Sequence, residues 1–145
     1  MTMRIEFAGV REWDAALDRL VVGKFQACRT GADRAALLVA SETKKTLTTS
    51  SHRPGTPTPS RPGEPPSLIT GTLRRSMKTV PAVAISESAW KSQVGPTAIY
   101  SRIQELGGDT GWSVLPPRPY LAPTLERLVA DGTLWAVFRS GWEVF

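Results

Sequence analysis

Few residues in this 145-residue chain are of types that do chemistry. His52 is the only histidine and Cys28 the only cysteine. Any Ser-His or Cys-His pair would have to use His52, which sits in a proline-rich tract with no carboxylate at motif spacing. Cys28 falls on the apolar stripe of a helix and reads as a buried structural thiol. A lone cysteine allows no intrachain disulfide and no thiolate metal cluster. The acids are scattered singly, and no phosphate-binding glycine loop, zinc spacing or dinucleotide fingerprint is present. The sequence thus predicts no catalysis, no cofactor and no metal.

Charge is the stronger signal. Between Ser51 and Lys78 the bases Arg53, Arg61, Arg74, Arg75 and Lys78 face the single acid Glu64, so +4 of the net +5 lies in this stretch. Clustered charge beside a nearly neutral body suits contact with phosphate or with an acidic protein surface, because long-range attraction depends on clustering. The bland alternative is a solvated loop kept soluble by arginine. Trp112, Trp135 and Trp142 could stack on bases, but tryptophans in such settings more often belong to a core or a subunit interface, and Trp90 reads as core.

The elements that must position these residues follow from periodicity. Met3 to Val10 alternates as a short strand. From Trp13 the apolar residues Leu17, Val21, Phe25, Cys28, Ala32, Ala35 and Val39 recur at steps of three and four, one stripe along a helix. It is predicted to run to about Thr48, roughly 50 Å. Gly31 is its weak point, at a cost of about 1 kcal/mol against Ala, but the stripe stays in phase across it.

Thr49 to Ser67 holds six of the twelve prolines and almost no large apolar residue, so it cannot offset the entropy of ordering by itself and is expected to be a long loop, mobile in the free protein. Thr70 is placed to cap a short helix over Gly71 to Met77, with Leu73 and Met77 inward and Arg74 and Arg75 outward. Lys78 to Ser86 and Trp90 to Val94 read as a hairpin, with Pro81 marking an edge strand or a bulge. "YSRIQELGG" predicts one or two helical turns closed by Gly107. "WSVLPPRPYLAPTLERL" predicts a brief strand, a proline turn and a helix that begins near Pro119 to Pro123 and carries a stripe of Leu121, Leu125, Leu128 and Val129. Asp131-Gly132 interrupts it before a last apolar face of Trp135, Phe138 and Trp142. The expectation is one α+β domain over residues 1–145, its long first helix and its C-terminal helix packed on a small, mainly antiparallel sheet. The N-terminus lacks a signal-peptide core, and no segment approaches bilayer-spanning length, so no membrane partner is expected.

Three segments in order, "PPSLITGTLRRSM", "YSRIQELGG" and "PPRPYLAPTLERL", together resemble the gene-product-ten-like tail-component family of long-tailed double-stranded DNA phages. The resemblance covers roughly residues 31–128 and is carried by Thr70, Gly71, Leu73, Arg74, Ser76, Tyr100, Glu105, Gly107, Arg118, Pro119, Leu121 and Pro123. Two departures are Leu106, where the family often has an aromatic, and an unusually apolar "LWAVFRSGWEVF". The resemblance implies a structural virion protein of the neck or tail completion, made in the bacterial host cytoplasm. It would form a sixfold or twelvefold ring of copies around the channel for double-stranded DNA and join neighbouring neck and tail proteins. Arg53, Arg61, Arg74, Arg75, Lys78, Arg118, Trp135 and Trp142 are then the candidate contacts to subunits or to the DNA channel. The competing class is a small basic nucleic-acid-binding or regulatory protein using Arg74, Arg75 and Lys78 on phosphate.

Overall fold

The computed structural model describes residues 9–55, 60–86 and 89–142. It is a mixed helix and sheet structure organised on one long N-terminal helix. That helix, α1, spans Val10–Thr46 without a break at Gly31, about 55 Å at the usual rise. The strand expected over Met3 to Val10 lies outside the described residues except for its last two positions, and there Gly9 is the N-cap of α1 at φ 86° and Val10 belongs to α1. Basic residues Lys44 and Lys45 sit in the final turn of α1, where cations oppose the negative end of the helix dipole.

Only the part of α1 from about Phe25 onward is packed. Ala27, Ala36, Val39, Ala40 and Thr43 are buried along it, whereas every described side chain from Arg11 to Val22 is exposed. Apolar periodicity specified the helix but not which part of the stripe would find a partner.

After the loop, a four-residue helix α2 (Thr72–Arg75) turns Leu73 inward, and β1 (Met77–Ser86) pairs antiparallel with β2 (Ala89–Pro96). The register breaks between Val80 and Val83, which is the bulge that Pro81 demands, since proline cannot donate to the ladder. The Ala82 N–H beside it leaves the ladder and donates instead to Asp33 Oδ1 on α1, at 2.6 Å. Trp90, expected in the core, is half-buried and meets Phe25 of α1 with ring centroids 6.4 Å apart.

Further on, α3 (Ser101–Leu106) ends at Gly107, whose φ of 70° and tight approach to Leu115 and Pro117 exclude a side chain. A two-residue strand β3 (Gly108–Asp109) pairs with β4 (Val114–Leu115). The helices α4 (Ala122–Ala130) and α5 (Thr133–Arg139) meet at Gly132, so Asp131-Gly132 does divide the C-terminal helix.

Three expectations need correction. The C-terminal helices pack mainly on α1 and on each other rather than on the hairpin. Thr70 does not cap α2: the N-cap is Gly71 at φ 71°, and Thr70 Oγ1 lies 3.4 Å from the Thr72 N–H. Of the stripe on α4, Leu128 is buried and Leu121 half-buried, but Leu125 and Val129 are exposed, and Thr124 takes the second inward position. The packing of the C-terminal helices and the inward face of α4 share one physical reason. A short amphipathic segment has several acceptable faces, and the tertiary partner selects one.

Leu47 from the end of α1, Leu73, Met77 and Tyr120 form the buried apolar cluster, with Val94, Ala98 and Leu121 against it. Residues far apart in the chain thus converge beside α2, and the basic pair Arg74-Arg75 rides on the outside of that junction.

Candidate functional site

Arg74 and Arg75 are exposed on α2, and Lys78 is exposed at the start of β1. Leu73 and Met77, both buried, anchor the backbone that carries them, so the three exposed cations ride on a fixed support. Arg53 and Arg61 are exposed on the proline-rich segment. Among the described residues none of these five cations has a carboxylate partner within ion-pair distance. Uncommitted cations keep their full attraction for an external anion. Beside α2 runs a groove of about 280 Å³ lined by Leu47, Leu68, Ile69, Leu73, Arg74 and Tyr100.

The segment bearing Arg53 and Arg61 reads from sequence as a long loop that cannot offset the entropy of its own ordering. Its described residues have partners at two places. Near its base, Leu68 N–H donates to Ser50 O at 2.8 Å and His52 N–H to Leu68 O at 3.2 Å, with the Ser50 and Ser67 hydroxyls 3.0 Å apart. Farther out, Gly63 N–H donates to Pro117 O at 2.9 Å and Arg118 Nε to Ser60 O at 3.1 Å. Backbone groups within a proline-rich stretch can thus be satisfied by a neighbouring proline-rich stretch. Arg118 is half-buried and its Nε is used inside the chain, unlike the other predicted arginine contacts.

The aromatic candidates lie on another element. Trp135 and Trp142 are 59% and 46% exposed. Trp135 stacks on Phe138 at 5.4 Å, and the Arg139 guanidinium lies 6.0 Å over the Trp135 ring. Trp135 is on α5 and Trp142 in the turn that follows it, and this C-terminal end is fixed tightly to α1. Arg34 Nη1 donates to Ser140 O at 2.7 Å and to Ser140 Oγ at 3.0 Å. A Cβ on Gly141 would stand 2.6 Å from Ala27 O and from Gly31 N. Gly31, read from sequence as a helix weakness, is therefore a close-approach position. Trp112, which the sequence leaves between base-stacking platform and core or interface, is 97% exposed between β3 and β4, so it is not core.

The residue that sequence reasoning undervalued is Glu105. Its Oε2 accepts the amides of Tyr120 and Leu121 at 2.9 and 3.1 Å, and its Oε1 accepts that of Ala122 at 2.8 Å. A carboxylate thereby holds the free N–H groups at the start of α4 from a distant segment. Both segments were visible as motifs, and the bond between them was not. Burial, followed by the nearby Glu105 charge, pushes the Tyr120 hydroxyl well above its ordinary value, so it stays a neutral donor to Ser101 O.

As to chemistry, His52 Nδ1 meets only the Arg53 carbonyl, at 3.1 Å, and Cys28 is half-buried rather than buried. Among the described residues no three His, Cys, Asp or Glu side chains group as metal ligands, and no helix is long and apolar enough to cross a membrane. The described surface presents exposed cations on α2 and β1 and exposed aromatics at Trp112, Trp135 and Trp142. Comparison with protein-family models, with curated proteins and with solved structures gave no match.

Proposed function

We propose that this chain is a structural subunit of the head-tail interface of a long-tailed double-stranded DNA phage, in the neck or at tail completion. Copies assemble as a ring around the DNA channel and join neighbouring neck and tail proteins, and the site of action is the virion. The role asks for docking surfaces and no catalysis.

The observation that carries this reading is the amount of apolar surface the single subunit leaves uncovered on separate elements. Trp13, Leu17 and Leu20 on α1, Val83 and Ile85 on β1, Trp112 at a turn and Trp135 on α5 are all 53% exposed or more. A protomer with neighbours on two sides would bury such faces; the Trp13, Leu17 and Leu20 run lies on one side of α1 and, unlike singly scattered exposed residues, marks an interaction surface. The motif resemblance supplies the particular assembly, and the unpaired Arg74, Arg75 and Lys78 suit either a carboxylate-bearing neighbour or the phosphates of passing DNA.

The test is complementation in phage lacking the corresponding gene. The intact chain restores joined particles, and deletion of Arg53 to Pro62 leaves a folded subunit that yields unjoined heads and tails. Normal yields from the deletion variant would remove the proline-rich segment from the reading. A monomer whose DNA affinity falls steeply with salt would instead mark a small nucleic-acid-binding protein.

A further inference from the structure

The exposed face of α1 and the aromatic surface of α5 are related by position. Trp13, Leu20, Ala27 and Arg34 follow one another at seven-residue steps, as do Leu17, Lys24 and Gly31, so they occupy one side of the helix. At Ala27, Gly31 and Arg34 that side is covered by the end of α5, through the Gly141 approach and the Arg34 bonds to Ser140. Toward the N-terminus it continues bare: Trp13, Leu17, Leu20 and Val21 are between 51% and 71% exposed. Meanwhile Trp135 and Phe138 of α5, with Trp142 from the turn after it, form a groove edged by Arg139.

We propose that the first half of α1 of one copy docks on the α5 groove of the next copy, head to tail. This contact rests on the ring reading and specifies its joint. Two observations select a second copy as the occupant. The first is charge. Asp14 and Asp18 flank the Trp13 end of the α1 stripe one turn apart, with Lys24 toward its other end; both carboxylates are exposed and without an ion-pair partner among the described residues, while Arg139 borders the groove in the same condition. The second is area. Four half-exposed to three-quarters-exposed side chains amount to several hundred Å², short of the roughly 800 Å² each partner gives to a stable interface. A head-to-tail contact does not enlarge any one joint, but in a closed ring every subunit is held by two of them, its stripe on one neighbour and its groove on the other. Two different patches that fit each other form a heterologous interface, which closes into a ring when the rotation permits.

Leu17→Asp damages the stripe and Trp135→Asp damages the groove. Both residues are exposed, so the fold should survive, checked by circular dichroism. The full chain and both variants are compared by sedimentation and mass photometry, alone and mixed. The expected result is that each variant alone falls to the 15.8 kDa monomer, while the mixture pairs once, the intact groove of one with the intact stripe of the other, and stops at twice that mass. If Trp135→Asp assembles like the unaltered chain, or if the mixture fails to pair while the unaltered chain forms rings, the contact is wrong and the ring reading stands. An unaltered chain that stays monomeric overturns both.

Discussion

The Glu105 carboxylate accepts the Tyr120 amide at 2.9 Å and, with its other oxygen, the Ala122 amide at 2.8 Å, so the end of α3 caps the start of α4. Charge-assisted bonds of this kind are about twice as strong as neutral ones. Glu105→Ala leaves three amides without their acceptor and should lower stability by about 2–3 kcal/mol. Urea unfolding followed by tryptophan fluorescence measures it, and Glu105→Gln, which keeps one acceptor oxygen, should fall between.

Two glycines of α1 should respond to alanine with opposite sign. At Gly23 an added Cβ meets nothing within 4 Å, and Gly23→Ala should stabilise by up to about 1 kcal/mol through helix propensity. At Gly31 the Cβ would collide with the Phe138 carbonyl, and Gly31→Ala should destabilise by about 1–2 kcal/mol as α5 is forced away. Thermal unfolding of the pair separates close approach from propensity.

How much of this could be read in advance depended on range. The extent of α1, the Pro81 bulge and the stop at Gly107 follow from rules acting over a few residues, and they were legible. Glu105 on the α4 amides, Asp33 on Ala82 and Gly31 against Gly141 join segments far apart in sequence. No periodicity announces an acceptor for a distant N–H, and a glycine required by a neighbouring helix looks the same as one that weakens its own. Of the candidate site, the outward Arg74 and Arg75 were legible from Leu73 and Met77. The internal use of Arg118 was not, because it depends on Ser60 arriving beside it.

Thr43 is fully buried, and its hydroxyl has no hydrogen-bond partner. An unsatisfied buried hydroxyl costs about 1 kcal/mol or more. Thr43→Val keeps the shape and removes the group, and should raise the unfolding free energy by about 1 kcal/mol in the same urea assay.

Glu42 joins α1 to α4 through Arg127 at 2.9 Å while also holding Lys45 at 2.6 Å. The hydrogen bonds from Lys45 and then Arg127 lower its pKa below the ordinary 4.5. A carboxyl depressed in the folded state contributes stability that is whole above its unfolded value and is lost as pH falls through the folded one. The stability difference between the unaltered chain and Glu42→Gln should therefore be constant above pH 4.5 and shrink on acidification, as denaturation at a series of pH values would show.

Reversing the exposed basic pair with Arg74→Glu and Arg75→Glu should leave the fold intact, since neither side chain is buried, and should weaken assembly. The loss should be greater at low salt, where exposed charges act over longer distances. Sedimentation at two ionic strengths reads both effects.

Ring formation itself is most directly tested by electron microscopy of the purified full chain at assembly concentration. Closed rings of uniform copy number around a central hole are the expected image. A population that remains single subunits, or associates only into open or irregular chains with no closed ring, would contradict the reading of this protein as a ring subunit of the phage neck or tail.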